Sequence, residues 1–154
     1  FSFGLGTVID TETARRGVLA GAQFISTPAL RPEVILLCRR HQIPVICGVH
    51  STEELGAAIQ AGADAIKLYP SEDRFGPTHV REIREQFPDA LLFPVGGVTA
   101  TNAIDFAQAG ADAMFVSSGL REPDDEAPID SADITDRAKA VTACLSSLIE
   151  ETAK

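Results

Sequence analysis

The tripeptide Ala-Gly-Ala occurs three times in this 154-residue chain, at residues 20–22, 61–63 and 109–111. Each copy follows a helical pattern and precedes a short apolar run. Glycine is typical of the residue that ends a helix, because it adopts a positive φ without steric cost. Each copy therefore predicts the point where a helix stops and a strand is about to begin.

Six short apolar runs alternate with helical segments along the whole chain. The predicted strands cover residues 3–8, 23–26, 43–47, 64–69, 90–95 and 112–116. The predicted helices begin near Asp10, Arg31, Ser51, Pro77, Thr99 and Ser131. Strict alternation of this kind predicts right-handed parallel β-α units in a single domain over residues 1–154, with a sheet that is covered on both faces.

Two α/β architectures fit six such units. One is an open doubly wound sheet, and the other is a TIM-type (β/α)₈ barrel of which about six units are present and the first two are missing. A complete barrel needs about 200 to 250 residues. The dinucleotide-binding pattern G-x-G-x-x-G is absent, because Gly4-Leu5-Gly6 is followed by Thr7-Val8-Ile9, and this favours the barrel.

Composition excludes several classes of function. The 13 basic and 22 acidic residues give a net charge of −9, so a nucleic-acid partner is not expected. No apolar run reaches the roughly 18 residues of a membrane span. The three cysteines form no CxxC pair, which argues against a disulfide scaffold or a structural zinc site. We expect a cytoplasmic protein without a metal or cofactor.

Lys67 is the residue that most strongly suggests chemistry. It interrupts the apolar run at residues 65–69, whereas the other two lysines, Lys139 and Lys154, lie in or after the polar terminal helix. A buried ammonium has a lowered pKa, which frees the amine as a nucleophile for Schiff-base formation with a carbonyl compound. The alternatives are a lysine paired with a carboxylate and one whose ammonium extends from the strand end to water.

Two turns suggest an anion site. Gly96-Gly97 lies between a predicted strand and a helix, and Ser117-Ser118-Gly119 follows the next strand. Glycine turns allow backbone N–H groups to approach a phosphate, and barrels often bind phosphate in the loops after strands seven and eight. Thr7 ends the first strand and has a hydroxyl that can bind a carboxylate. His50 also follows a strand, but it has no partner at metal-ligand spacing.

These motifs together resemble the class I aldolases that cleave 2-keto-3-deoxy-6-phosphogluconate and its galactonate epimer. Residues 4–8 (GLGTV) resemble the family's G-A-G-T-V, and residues 66–70 (IKLYP) are similar to its K-x-[FY]-P strand. Residues 93–98 (FPVGGV) resemble its F-x-x-G-G-[IV] turn, and Ser118 falls where the family has a serine. The loop at residues 70–77 resembles the galactonate branch more than the gluconate branch.

The resemblance implies specific roles. Lys67 is the Schiff-base nucleophile, Thr7 contacts the keto-acid end of the substrate, and Gly96, Gly97 and Ser118 hold its phosphate. The implied substrate is a phosphorylated sugar acid that is cleaved to pyruvate and glyceraldehyde 3-phosphate, with no cofactor. The implied assembly is a homo-oligomer, with a trimer favoured.

One part of the family pattern has no counterpart in this sequence. The family's acid/base glutamate and a nearby arginine lie on an earlier strand, in a pattern like E-[VI]-x-x-R, and nothing precedes Phe1 here. Two alternatives therefore stand beside the aldolase. One is another phosphate-binding barrel enzyme, an epimerase or a synthase, and the other is an inactive fragment that only binds anions or subunits. A barrel without two units exposes strand edges, so we expect the chain to associate.

Overall fold

The computed structural model describes residues 2–69, 76–120 and 131–152, and the side chains of Ser118 and of residues 147–152 lie outside this description. It contains one parallel sheet whose five strands follow one another in chain order. The strands are β1 (Leu5–Gly6), β2 (Ile25–Thr27), β3 (Val45–Val49), β4 (Ala65–Leu68) and β5 (Leu92–Pro94). The helices are α1 (Thr11–Leu19), α2 (Pro32–Arg40), α3 (Thr52–Ala61), α4 (Pro77–Gln86), α5 (Ala103–Gln108) and α6 (Ser131–Thr152), with a 3₁₀ helix at Ser118–Leu120.

The helix ends confirm the reading of the repeated tripeptide. Gly21 and Gly62 have φ angles of 91°, and Gly110 has a φ of 101°, which is the left-handed conformation that glycine adopts after a helix. The predicted first residues of two helices, Asp10 and Ser51, are confirmed as well. The Asp10 carboxylate accepts a hydrogen bond from the N–H of Thr13, and the Ser51 hydroxyl accepts one from the N–H of Glu54. Local sequence therefore sets where these helices begin and end.

The strand order excludes the doubly wound alternative. A doubly wound sheet reverses direction at a switch point, whereas here each strand pairs with its chain neighbour from β1 to β5. Right-handed connections between adjacent parallel strands place all the helices on one side of the sheet. This arrangement is an arc of a β/α barrel, and within the described residues the arc does not close.

The sixth predicted strand is reduced to a single bridge between Val95 and Phe115. On the edge of β5 that faces Phe115, the N–H of Leu92 donates to the Asp112 carboxylate at 2.8 Å instead of to a backbone carbonyl. The next position on that edge is Pro94, which has no N–H. The Asp64 carboxylate accepts the N–H of Val45 in the same way beside the regular β3–β4 ladder. The missing donor at Pro94 is therefore what distinguishes the edge of β5, where residues 112–116 form no regular strand.

The sheet has two unlike faces. The face against the helices, which we call the helix face, carries eight residues that are at most 1% exposed: Ile25, Thr27, Val45, Cys47, Val49, Ile66, Leu68 and Leu92. Because side chains alternate along a strand, Ser26, Ile46, Gly48, Ala65, Lys67 and Phe93 lie on the opposite, inner face. Ile46, Lys67 and Phe93 are only half-buried. The core of the protein therefore lies between the sheet and its helices.

Candidate active site

Lys67 lies on the inner face near the carboxyl end of β4. Its register partners are Gly48 on β3 and Phe93 on β5. A Cβ atom at Gly48 would lie 2.3 Å from the carbonyl oxygen of Pro28, so only glycine permits this close approach of the two backbones. The strand beside Lys67 consequently presents no side chain at that level, and the backbone of Pro28 packs against Gly48 instead.

The amine of Lys67 is partly removed from water, and no acid of the described residues pairs with it. Burial lowers its pKa, and the nearby Cys47 opposes this only in part. Within the described residues, Lys67 forms no ion pair. A lowered pKa increases the neutral fraction of the amine near pH 7, and the neutral amine is the form that attacks a carbonyl carbon. The described residues thus provide no support for the ion-paired alternative.

Cys47 belongs to the core, as the sequence indicates. It lies on the helix face, fully buried, with its Sγ 3.5 Å from the carbonyl oxygen of Gly48. Burial raises the pKa of this thiol, which keeps it protonated and unreactive at neutral pH.

The Gly96-Gly97 turn has the conformation that an anion site requires. Its two residues have φ angles of 90° and 67°, a combination that side chains disfavour. The Asn102 side chain fixes the turn, because its Nδ2 donates to the Gly97 carbonyl and its Oδ1 accepts from the Thr99 N–H, both at 2.8 Å. Among the described residues, the N–H of Gly97 donates to no other group. Sequence reasoning missed this role of Asn102, which lies at the start of the predicted fifth helix. Asparagine at such a position often bonds to nearby backbone groups, and this is the signal that could have found it.

The loop that contains Ser118 packs directly against this turn. A Cβ atom on Gly119 would lie 2.0 Å from the carbonyl oxygen of Val98, so the close packing of the two loops depends on glycine there. The predicted convergence of the two loops is therefore present in the backbone. The phosphate role of the Ser118 side chain stays a prediction, because that side chain is outside the described part of the structure.

Thr7 lies at the same end of the sheet as Lys67 but on a distant strand. It follows β1 and is exposed, and β2 and β3 lie between β1 and β4. Its role at the keto-acid end of a substrate stays a prediction. The loop that resembles the galactonate branch lies mostly outside the described residues, at 70–75.

His50 and Tyr69 form a contact at the ends of β3 and β4, next to Lys67. The His50 Nδ1 lies 3.1 Å from the Tyr69 carbonyl oxygen, and the two rings meet edge to face with centroids 6.3 Å apart. The N–H of His50 donates to the Glu54 carboxylate at 2.8 Å. The sequence indicated that His50 could face the site, but it gave no sign of these partners.

The described residues offer neither a cluster of metal ligands nor a membrane-spanning helix. Across residues 2–69, 76–120 and 131–152, no three His, Cys, Asp or Glu side chains lie close enough together to hold a metal ion. In the same residues, no helix has both the length and the apolar character needed to cross a membrane.

Parallel strands in chain order, with their helices on one side and a half-buried lysine near the carboxyl end, define a (β/α)₈-barrel type of protein. The chain belongs to the KDPG and KHG aldolase family, whose family model matches residues 1–136.

Named relatives agree with this family. The chain is 34% identical over 103 residues to the 2-dehydro-3-deoxy-phosphogluconate aldolase of Pseudomonas aeruginosa, covering 67% of this chain and 47% of the relative. It is 34% identical over 118 residues to the 2-dehydro-3-deoxy-6-phosphogalactonate aldolase of Escherichia coli, covering 76% and 57%. A solved native KDPGal structure superimposes with a TM-score of 0.85 at 28% identity, over 96% of this chain and 69% of that one. The chain thus spans about half the length of the curated relatives it matches.

Proposed function

We propose that this protein is a class I aldolase that cleaves a 2-keto-3-deoxy-6-phospho sugar acid to pyruvate and glyceraldehyde 3-phosphate. The observation that carries the proposal is Lys67, a half-buried lysine on the inner face whose pKa is lowered by burial. Within the described residues no carboxylate pairs with it. Membership of an aldolase family supports the same reaction class.

The proposed reaction begins with attack of the Lys67 amine on the keto carbon of the substrate. Loss of water gives an iminium ion, which accepts the electron pair of the breaking carbon–carbon bond. A base removes the proton of the adjacent hydroxyl, the aldehyde product leaves, and an enamine remains on Lys67. Protonation of the enamine carbon and hydrolysis of the imine then release pyruvate and regenerate the amine.

In this proposal the phosphate of the substrate binds at the Gly96-Gly97 turn. The N–H of Gly97, which donates to no group of the described residues, and the positive φ angles of both glycines support this role. The packing of Gly119 on Val98 brings the loop of Ser118 to the same place. Thr7 is proposed to hold the keto-acid end.

Borohydride reduction in the presence of pyruvate tests the proposal. The expected result is a covalent adduct with the mass of one reduced pyruvate, mapped by peptide analysis to Lys67. The lysines of the chain are Lys67, Lys139 and Lys154, so the assignment is unambiguous, and a Lys139→Met variant serves as a control that still forms the adduct. Absence of the adduct would favour another phosphate-binding barrel enzyme, an epimerase or a synthase, or an inactive fragment.

We also infer that the protein is a cytoplasmic homo-oligomer, with a trimer favoured. The half-buried inner face and the 74% exposed side chain of Phe3 beside β1 support association. Light scattering coupled to size exclusion is expected to show a species larger than the 16.3 kDa chain. A stable, well-dispersed monomer would contradict this inference.

A further inference from the structure

Asn102 lies at the start of α5, yet its side chain binds the turn that precedes the helix. An asparagine in this position usually accepts a hydrogen bond from a backbone N–H in the first turn of its own helix. The Asn102 side chain makes no such bond. Its Nδ2 donates to the Gly97 carbonyl and its Oδ1 accepts from the Thr99 N–H, both at 2.8 Å. Both ends of the side-chain amide therefore hold the turn after β5 rather than the helix.

These two hydrogen bonds fix the peptide group that joins Gly97 to Val98. In a trans peptide the C=O and the N–H point in opposite directions. Because Asn102 holds the Gly97 carbonyl, the N–H of Val98 points away from the Asn102 side chain. The hydrogen bond from Thr99 anchors the next peptide group, and Val98 itself is only 1% exposed. The amide groups of the turn are therefore held in one orientation.

The turn held in this way presents a row of backbone donors. The N–H groups of Gly96, Gly97 and Val98 donate to no group of the described residues. Successive N–H groups in a turn form a concavity that binds anions. The loop of Ser118 packs on the same turn, since a Cβ atom on Gly119 would lie 2.0 Å from the Val98 carbonyl oxygen. The directions of these donors are thus set before an anion binds.

We propose that Asn102 is a positioning residue for the substrate phosphate, an inference that rests on the proposed aldolase function. It holds the peptide between Gly97 and Val98 in the orientation that receives the phosphate, so binding does not have to order the turn first. A substrate without a phosphate gains nothing from this. Asn102 therefore sets the preference of the enzyme for phosphorylated over unphosphorylated substrates, and it takes no part in imine formation at Lys67.

Aldol addition of pyruvate, the reverse of the proposed cleavage, measures this preference. The two acceptors are glyceraldehyde 3-phosphate and glyceraldehyde, and the selectivity is the ratio of their kcat/KM values. In Asn102→Ala we expect this ratio to fall about 10-fold through a higher KM for the phosphorylated aldehyde, the scale of one net hydrogen bond. Titration with inorganic phosphate should show a similar loss of affinity, and borohydride trapping of pyruvate at Lys67 should persist. A general loss of folded protein lowers both rates together and leaves the ratio unchanged.

Two variants of Thr101 serve as matched controls in the same loop. Thr101→Ala removes the 2.8 Å hydrogen bond between the Thr99 and Thr101 hydroxyls without touching Gly97, so its ratio should equal that of the wild type. Asn102→Asp keeps the acceptor for the Thr99 N–H, which supports folding, but cannot donate to the Gly97 carbonyl. It decides the question if Asn102→Ala does not fold. Thr101→Asp places the same charge one residue away, on an exposed side chain, and should lower the ratio less than Asn102→Asp does.

The outcomes separate this role from the proposed function. A folded Asn102→Ala protein with the wild-type ratio and phosphate affinity would overturn the role of Asn102 alone. The same would follow if Asn102→Asp lowered the ratio no more than Thr101→Asp. A wild-type chain that traps pyruvate but binds no inorganic phosphate would overturn the anion site at the turn, and this role with it. A wild-type chain that traps no pyruvate would overturn the aldolase function itself.

Discussion

The two faces of the sheet differ in what they bury. The helix face of β2 to β5 is dry and almost entirely apolar, with Ile66 and Leu68 at most 1% exposed. The inner face of the same strands is only partly covered, and it carries Lys67 between Gly48 and Phe93. Residues that are neighbours in sequence, such as Ile66 and Lys67, therefore occupy opposite environments.

This difference separates stability from chemistry. Apolar burial on the helix face contributes most of the hydrophobic free energy of folding, because that face is fully removed from water. On the inner face, the partial desolvation of the Lys67 amine contributes to its reactivity and costs some stability. A substitution on the helix face should therefore lower stability and leave the chemistry at Lys67 intact, whereas replacement of Lys67 should abolish the chemistry and leave the fold intact.

The largest effect is expected from Lys67→Met. This substitution removes the amine and keeps an apolar side chain of similar length, so borohydride trapping of pyruvate should fall to zero. The fold should persist, because no described ion pair is lost and the desolvated charge disappears. Mass spectrometry and circular dichroism measure the two outcomes. An adduct on the variant would contradict the role of Lys67.

Ile66→Ala should lower stability without affecting the chemistry at Lys67. Ile66 is buried on the helix face, so its truncation is expected to lower the free energy of unfolding by about 2–5 kcal/mol. Trapping per folded molecule should be unchanged. Ile46→Ala is the matched control on the half-buried inner face and should cost less, on the order of 1–2 kcal/mol. Equal losses in chemical denaturation would show that the two faces do not differ in burial.

Gly97→Ala should affect both stability and anion binding. Its φ of 67° makes a side chain unfavourable by about 1–2 kcal/mol, and relaxation of the turn should weaken the binding of inorganic phosphate. Gly21→Ala is the matched control, because Gly21 has a φ of 91° but no atom within 4 Å of an added Cβ. Calorimetric titration with phosphate should separate the variants. If Gly97→Ala bound phosphate as well as Gly21→Ala, the anion site would lie elsewhere.

Sequence reasoning predicted the features that depend on local chemistry. The Ala-Gly-Ala repeats gave the helix ends at Gly21, Gly62 and Gly110, and the interruption of an apolar strand singled out Lys67. The resemblance to the class I aldolases also predicted the barrel fold.

The features that sequence reasoning did not predict depend on contacts between distant residues. The Asp112 carboxylate accepts the N–H of Leu92, which is 20 residues away. The same carboxylate pairs with Arg84, whose guanidinium also donates to the carbonyl oxygens of Pro88, Ala90 and Gly110. The hydrogen bond from His50 to the Tyr69 carbonyl likewise depends on the pairing of β3 with β4, which brings the two residues together just past the strand ends. No local sequence pattern encodes it.

The smallest effect, a change of stability with pH, tests whether the inner face desolvates the lysine. Burial places the pKa of Lys67 in the folded protein below its ordinary value of 10.5. Between these two pKa values the unfolded chain binds more protons than the folded one, so the contribution of Lys67 to stability rises with pH. Below both values the lysine is charged in either state, and the folded protein bears the full cost of burying the charge.

Lys67→Met removes that cost, so the variant should be more stable than the wild type at neutral pH. Its advantage should shrink as the pH rises towards 10.5. Urea denaturation of both proteins over this range measures the difference, in which other titrating groups cancel. Lys139→Met, at a lysine whose side chain is 74% exposed, should show a much smaller dependence of its stability difference on pH. A difference for Lys67→Met that stays constant would mean that the open inner face leaves the ammonium fully hydrated, and the contrast between the faces would then be one of shape alone.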